Sequence, residues 1–394
     1  MYTYASRAFG RTVGACLMFC PIGCERARLV AALVGAASVS GLSPLASGAD
    51  QMHANPAAPK TIGLAITDWS YALIETPNAK EECSLGLQAG EVAQFKAQQD
   101  YMEHREKFGG TFENRGPNGE KGNFSPTVVQ DVLPWSELVT PRGFGMNLDG
   151  TSDGHATAKS CKHEKFTSDN GEPVDNQLAR VVGCIQGFRT SGLTGSFYRS
   201  EVPNFSFNRH LIEITGVDSE TNDSDVEVSI YKGRDQLVRT AGGDAFVPFT
   251  SQRIDVRFPQ FTLKTHGRIV DGVLFTDPIP YARFPIRETA NVGERRMHDL
   301  TLRLKLTSGG AEGLLAGYED TAAWWNIKSK GVTPELDKYS PAGMYRALQR
   351  YADGYPDPAT GQCTAISAAY NIKAVPVIVI HPTDNRQHLA AKVD

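Results

Sequence analysis

Between residues 210 and 320 the chain keeps returning to one pattern. Short runs enriched in β-branched and aromatic residues are broken by Gly, Asn, Asp or Pro about every ten residues. The runs read HLIEITGV (210–217), DVEVSIY (225–231), RIDVRF (253–258), FTLKTHGRIV (261–270), GVLFTD (272–277) and DLTLRLKLTSG (299–309), and GLLAGYED (313–320) adds one more. Several alternate apolar and polar positions, as half-buried antiparallel strands do. Strands at that spacing predict a mixed, predominantly β chain whose central domain is an antiparallel sandwich or jelly roll.

The flanks read differently. Residues 61–73 (TIGLAITDWSYAL) suit a strand, and 91–107 (EVAQFKAQQDYMEHREK) a helix that stops at Gly109-Gly110. Residues 109–125 form a long polar loop, and 141–180 are rich in Gly, Asp, Asn and Ser without a period. Ser340-Pro341 is an N-cap and first-turn pair for a helix that ends before Gly354. A second short helix is expected over 363–370 and a buried strand over 375–380 (VPVIVI). The expected organisation is a leader (1–49), an irregular α+β region (50–185), the β-sandwich domain (186–330) and a helical segment ending in a strand (331–394).

The leader sets the compartment. Arg26 and Arg28 precede an uncharged run rich in Leu, Val and Ala that ends in Ser47-Gly48-Ala49, a small-residue pattern that signal peptidases accept. Met18 is the expected working start. The rival readings are an uncleaved anchor over 29–49, which Ser38, Ser40, Ser43 and Pro44 oppose, and a lipoprotein at Cys24, which lies before rather than after the apolar run. A periplasmic or secreted protein is expected, with no membrane contact after cleavage. The leader holds Arg7, Arg11, Arg26 and Arg28 against Glu25 alone, so the mature chain is more acidic than the whole-chain net charge of −4. That balance does not suit a nucleic-acid partner.

Cys16, Cys20 and Cys24 fall in the leader, which leaves Cys83, Cys161, Cys184 and Cys363, an even number suited to disulfides in an oxidising compartment. Proximity in sequence favours Cys161–Cys184, and Cys83–Cys363 would then tie the ends together.

Three segments offer ligands. The acidic loop 218–225 presents Asp218, Glu220, Asn222, Asp223 and Asp225, oxygen donors suited to calcium. Asp149, Thr151 and Asp153 match the opening of an EF-hand-type loop, but Ser160 stands where its bidentate acid belongs. His155, Cys161 and His163, with Cys184, have spacing that could ligate zinc or copper, an arrangement a disulfide would forbid. No CxxCH occurs, so covalent haem is not expected, nor is a nucleotide cofactor.

Catalytic signals are sparse. No GxSxG element occurs, and Cys363 near a helix start, with His381 and His388 downstream, is the one conceivable Cys–His pair. Residues 370–380 (YNIKAVPVIVI) resemble the segment around the cis-proline of thioredoxin-fold proteins, over eleven residues. The CxxC strand–helix of that family is absent, and no function carries over. Trp324-Trp325 could stack on sugar rings or pack inside. Two readings follow: an exported, disulfide-stabilised binding or assembly module for a protein or carbohydrate, with calcium as its candidate ion, and an exported hydrolase or lyase acting on a polysaccharide.

Overall fold

The computed structural model describes residues 59–87, 116–129, 135–288, 291–330 and 339–382, with Pro334 and Asp337. The leader, the helix expected over 91–107 and His388 lie outside these residues. In chain order the strands are β1 (Lys60–Tyr71), β2 (Phe166–Thr167), β3 (Pro173–Val174), β4 (His210–Val217), β5 (Asp223–Lys232), β6 (Thr250–Arg253), β7 (Leu263–Val270), β8 (Val273–Thr276), β9 (Ile279–Glu288), β10 (Asn291–Thr307), β11 (Gly310–Asp320), β12 (Gly354–Pro356) and β13 (Cys363–Ile380). The helices are α1 (Gln177–Val182), α2 (Leu193–Asn204), α3 (Thr321–Lys328) and α4 (Pro341–Tyr351).

Strand β1 pairs with β4 on one side and with β13 on the other. That double pairing closes the order β1-β4-β5-β7-β8-β10-β11-β13 into an eight-stranded antiparallel barrel. The expected open sandwich is therefore corrected. All its strand runs but RIDVRF are present, yet the barrel strands close on themselves, which removes the free edges a sandwich would leave. Closure joins Leu64 to Pro376 and Tyr71 to Tyr370, some 300 residues apart in sequence. The staves come from all three segments downstream of the leader.

Period-two alternation places one face of each strand inside. Leu64 and Ile66 of β1, Ile212 and Ile214 of β4, Val226, Val228 and Ile230 of β5, and Leu300, Leu302 and Leu304 of β10 share one buried cluster. Between Leu64 and Ile66, Ala65 joins a separate small cluster with Leu211, Leu237, Ile254 and Val377. The segment between β5 and β7 supplies Leu237 and Ile254 to that second core.

Strand β13 corrects the helix expected over 363–370. Alanine favours helix in isolation, and CTAISAAY is rich in it. Here the small side chains admit α1: the Gln177 amide donates to Ser367 Oγ (2.8 Å), and the Ala369 amide donates to the Asn176 side chain (3.2 Å). Pro376, the proline of the thioredoxin-like stretch, sits within this paired strand opposite Leu64.

The favoured disulfide pairing is also corrected. The bonds are Cys83–Cys184 and Cys161–Cys363, with Cα separations of 5.6 and 6.2 Å. Sequence proximity misleads because Ser160 bridges to Gly354, and the Cys161 amide donates to the Asp353 carbonyl (2.8 Å). Those contacts carry Cys161 to the start of β13. Cys184, just past α1, meets Cys83, which bridges to Leu138. The molecule is thus a disulfide-stabilised β-rich protein. Among the described residues no helix is long and apolar enough to cross a membrane.

Candidate metal centre

The loop 147–165 folds over the barrel end near β12 and brings charged side chains under cover. Asp149 begins an Asx-type turn, in which its Oδ1 accepts the amide and hydroxyl of Thr151, both at 2.9 Å. Ser160 Oγ donates to its Oδ2 (3.1 Å). Gly154 then turns back at φ +72°, and the His163 amide donates to its carbonyl (3.0 Å). A Cβ on Gly154 would collide with the His163 carbonyl oxygen, so this close approach requires glycine.

His163 lies between two acceptors. Its Nδ1 is 2.8 Å from the Cys161 carbonyl and its Nε2 is 2.8 Å from Asp175 Oδ1. Both partners only accept, so both ring nitrogens donate here, and Nε2 meets a cation only after giving up its proton. Burial pulls the imidazole pKa down, while Asp175, the field of Asp353 and the Cys161 carbonyl raise it, and the net shift is upward.

Three carboxylates surround His163. Its Nε2 is 2.8 Å from Asp175 Oδ1, 3.8 Å from Asp353 Oδ2 and 3.9 Å from Asp149 Oδ2, and all three carboxylates are fully buried. Asp175 follows β3 and its Oδ2 accepts the Leu148 amide (2.7 Å). Asp353 lies between α4 and β12, and its Oδ1 accepts the Ser367 amide (2.6 Å). Asp353 Oδ2 is buried with no hydrogen-bond partner. Burial pushes the Asp353 pKa up to about 7 against the field of His163. Asp149 goes the other way: burial alone would raise it, but bonds from Lys165 and Thr151 hold it down to about 2.

Lys165 supplies the cation that the cluster holds. Its Nζ is 2.5 Å from Asp149 Oδ1 and 2.6 Å from Asp175 Oδ1, and it reaches Asn147 Oδ1 at 3.0 Å. Close by, Tyr318 packs its ring on Gly354 and buries a hydroxyl without a partner. Burial and the fields of Asp353, Asp175 and Asp149 raise that phenol's pKa. His163, Asp149 and Asp175 each offer a ligand atom within 4.8 Å of the others. Four-coordinate zinc with bonds of about 2.0 Å would draw such atoms to about 3.3 Å apart.

The other sequence-derived ligands do not join this cluster. Thr151 is spent on the Asp149 turn, and exposed Asp153 bonds exposed His155 at 2.6 Å. In the β4–β5 loop, Asp223 accepts the amides of Asp218, Ser219 and Asp225. Glu220 pairs with Lys60, Asp225 with His266, and Asn222 accepts the Asp271 amide. These oxygens serve separate partners instead of converging. Cys161, Cys184 and Cys363 are all in disulfides, which removes the thiolate ligands and the Cys–His pair. His381 bonds Glu213 at 2.8 Å.

Trp324 is 2% exposed and stacks on Phe188, while Trp325 donates to the Pro341 carbonyl and meets Tyr345 edge-on. Of the two alternatives the structure shows packing: Trp324 lies in the core and Trp325 is half-buried against it. Inside the barrel, Glu319 accepts from Tyr370 (2.6 Å) and lies 3.3 Å from Arg295, which donates to Tyr198 (2.9 Å). The cavity beside Arg295, Trp69 and His210 measures about 20 Å³, room for one water.

Sequence reading missed Lys165, Asp175 and Asp353. The pairing of Cys161 with Cys363 was the one signal that could have brought Asp353 beside His163. No family model, curated protein or solved structure matches this chain.

Proposed function

We propose that the protein is exported and acts as a disulfide-stapled binding or assembly module, with a divalent-metal centre formed by Asp149, His163, Asp175 and Asp353. Asp353 Oδ2 carries the reading. A buried carboxylate oxygen without a donor is costly, and this one lies 3.8 Å from the ring nitrogen that also meets two further carboxylates. Charge supports it. With His163 neutral and Asp353 ionised, as ligation requires, three carboxylates and one ammonium leave two negative charges, which a dication would cancel. One imidazole among carboxylate oxygens suits a zinc-class ion, whereas calcium favours six to eight oxygens. Export is supported by the leader and by the pairing of all four remaining cysteines.

Calorimetric titration of the chelator-treated full chain with zinc and, separately, calcium tests the centre. The expected result is one zinc per chain and a raised Tm, with calcium much weaker. A saturation of about 100 Kd would add about 2.7 kcal/mol. Asp353→Asn keeps the Oδ1 bond to Ser367 and removes the candidate ligand, so zinc should bind at least ten-fold more weakly with little change in metal-free stability. Absence of stoichiometric zinc binding would refute the centre.

A further inference from the structure

The Cys161–Cys363 bond joins the two parts of the chain that carry the candidate ligands. Cys161 lies two residues before His163, and its carbonyl holds His163 Nδ1. Its amide donates to the Asp353 carbonyl (2.8 Å), and the Asp353 amide donates to Ala365 (3.0 Å), two residues beyond Cys363. The Tyr355 amide donates to the Lys159 carbonyl (2.7 Å) along the same seam. The disulfide therefore fixes the loop bearing Asp149 and His163 to the strand ends bearing Asp353.

The two disulfides differ in access. Cys83 and Cys184 are 1% and 0% exposed and Cys363 is 6% exposed, while Cys161 is half-buried at the surface, so attack on the second bond comes at Cys161. A reductant reaches an exposed sulfur first, because exchange requires in-line attack on it. The candidate ligands have side-chain exposures of 5% or less, so an ion held there would be shielded from solvent.

We infer that the Cys161–Cys363 disulfide is a redox clamp on the metal centre, so that reducing this one bond releases the ion while the barrel stays folded. The inference rests on the metal reading above. A dithiol delivers two electrons and two protons: the Cys161–Cys363 S–S bond breaks, two thiols form, and the dithiol becomes a disulfide. Once the link is cut, ion binding must itself order a loop whose tether spanned 202 residues of sequence. Firm ion retention would then require an oxidising compartment, which agrees with export.

The test uses the zinc-loaded full chain under graded dithiol. Exposed thiols are capped with iodoacetamide, because free thiolates would themselves bind zinc. Zinc release is read with a chromogenic chelator, the modified cysteines by mass spectrometry, and the fold by circular dichroism. Zinc should leave in step with capping of Cys161 and Cys363, with Cys83 and Cys184 unmodified and the β signal intact. The double variant Cys161→Ser with Cys363→Ser, which has no thiolate to cap, should bind zinc at least ten-fold more weakly. Retention of zinc after both cysteines are capped, wild-type affinity in the double variant, or release only on unfolding would each overturn the clamp. If the oxidised chain takes up no zinc at all, the metal reading fails instead.

Discussion

At the scale of single residues, the molecule hides ionisable groups in ways that set its response to acid. His210, at the start of β4, is edge-on to Trp69 and Phe284 inside the barrel. Burial, and then the fields of Lys232, Arg209 and Arg295, depress its pKa to about 3. The unfolded chain, with an ordinary histidine pKa of about 6.5, takes up a proton that the folded chain refuses. The stability that His210 contributes is complete above that value and is lost as pH falls from 6.5 towards 3. By pH 5 the loss is about 2 kcal/mol. His163 has the opposite sign: its raised pKa adds stability at low pH that is lost as pH rises. His210→Phe removes the first effect and leaves the second, and the small cavity beside the ring can take the extra atoms. Urea midpoints of the variant should fall less between pH 7 and pH 5 than those of the parent, by about 2 kcal/mol when converted to free energy. Parallel curves would show that His210 titrates normally in the folded state.

At the scale of elements, local grammar explains which strands were legible. The runs FTLKTHGRIV and GVLFTD are legible as β7 and β8, and the structure joins them by a tight hairpin at Asp271-Gly272. Both residues take positive φ, +51° and +75°, and Val270 faces Val273 across a two-residue loop. A Cβ on Gly272 would meet nothing closer than 3.9 Å, so alanine there is opposed by backbone conformation and not by crowding. Gly272→Ala should cost about 1 kcal/mol, seen as a lower urea midpoint with an unchanged slope. A neutral result would mean that the turn relaxes. Strand β9 was missed for the converse reason. Its sequence IPYARFPIRE carries two prolines, which argue against a central strand. The structure tolerates them because β9 lies off the barrel path and pairs only with β10, while Asn208 takes up the Arg287 amide and carbonyl at 2.7 and 2.9 Å. RIDVRF overreached: only Arg253 belongs to a strand, and Asp255 turns inward to Lys232 and Arg257.

At the scale of the whole molecule, what the sequence concealed is long-range. Barrel closure depends on β1 meeting β13, and the candidate centre draws on residues 149, 163, 175 and 353, which no local pattern links. Alternation tells which face of a strand is buried, but not whether the sheet closes, because sandwich and barrel interiors ask for the same period. The same long-range pairing predicts how stability is distributed. The main core ties β1, β4, β5, β10 and β13 together, so these strands should open only with the whole barrel. The excursion between β5 and β7 rests on the small second core instead. Its cover is thin, with Val238, Phe249 and Val256 exposed at 53%, 63% and 61%. Phe249 is also held at φ +57°, a conformation that opening would relieve. Native-state hydrogen exchange followed by mass spectrometry should therefore show peptides within 234–249 exchanging well before those within 363–374, with the gap closing as urea approaches the unfolding midpoint. Equal protection of the two regions in water would mean that the excursion and the barrel unfold as one unit, and that the second core is not a separate layer of stability.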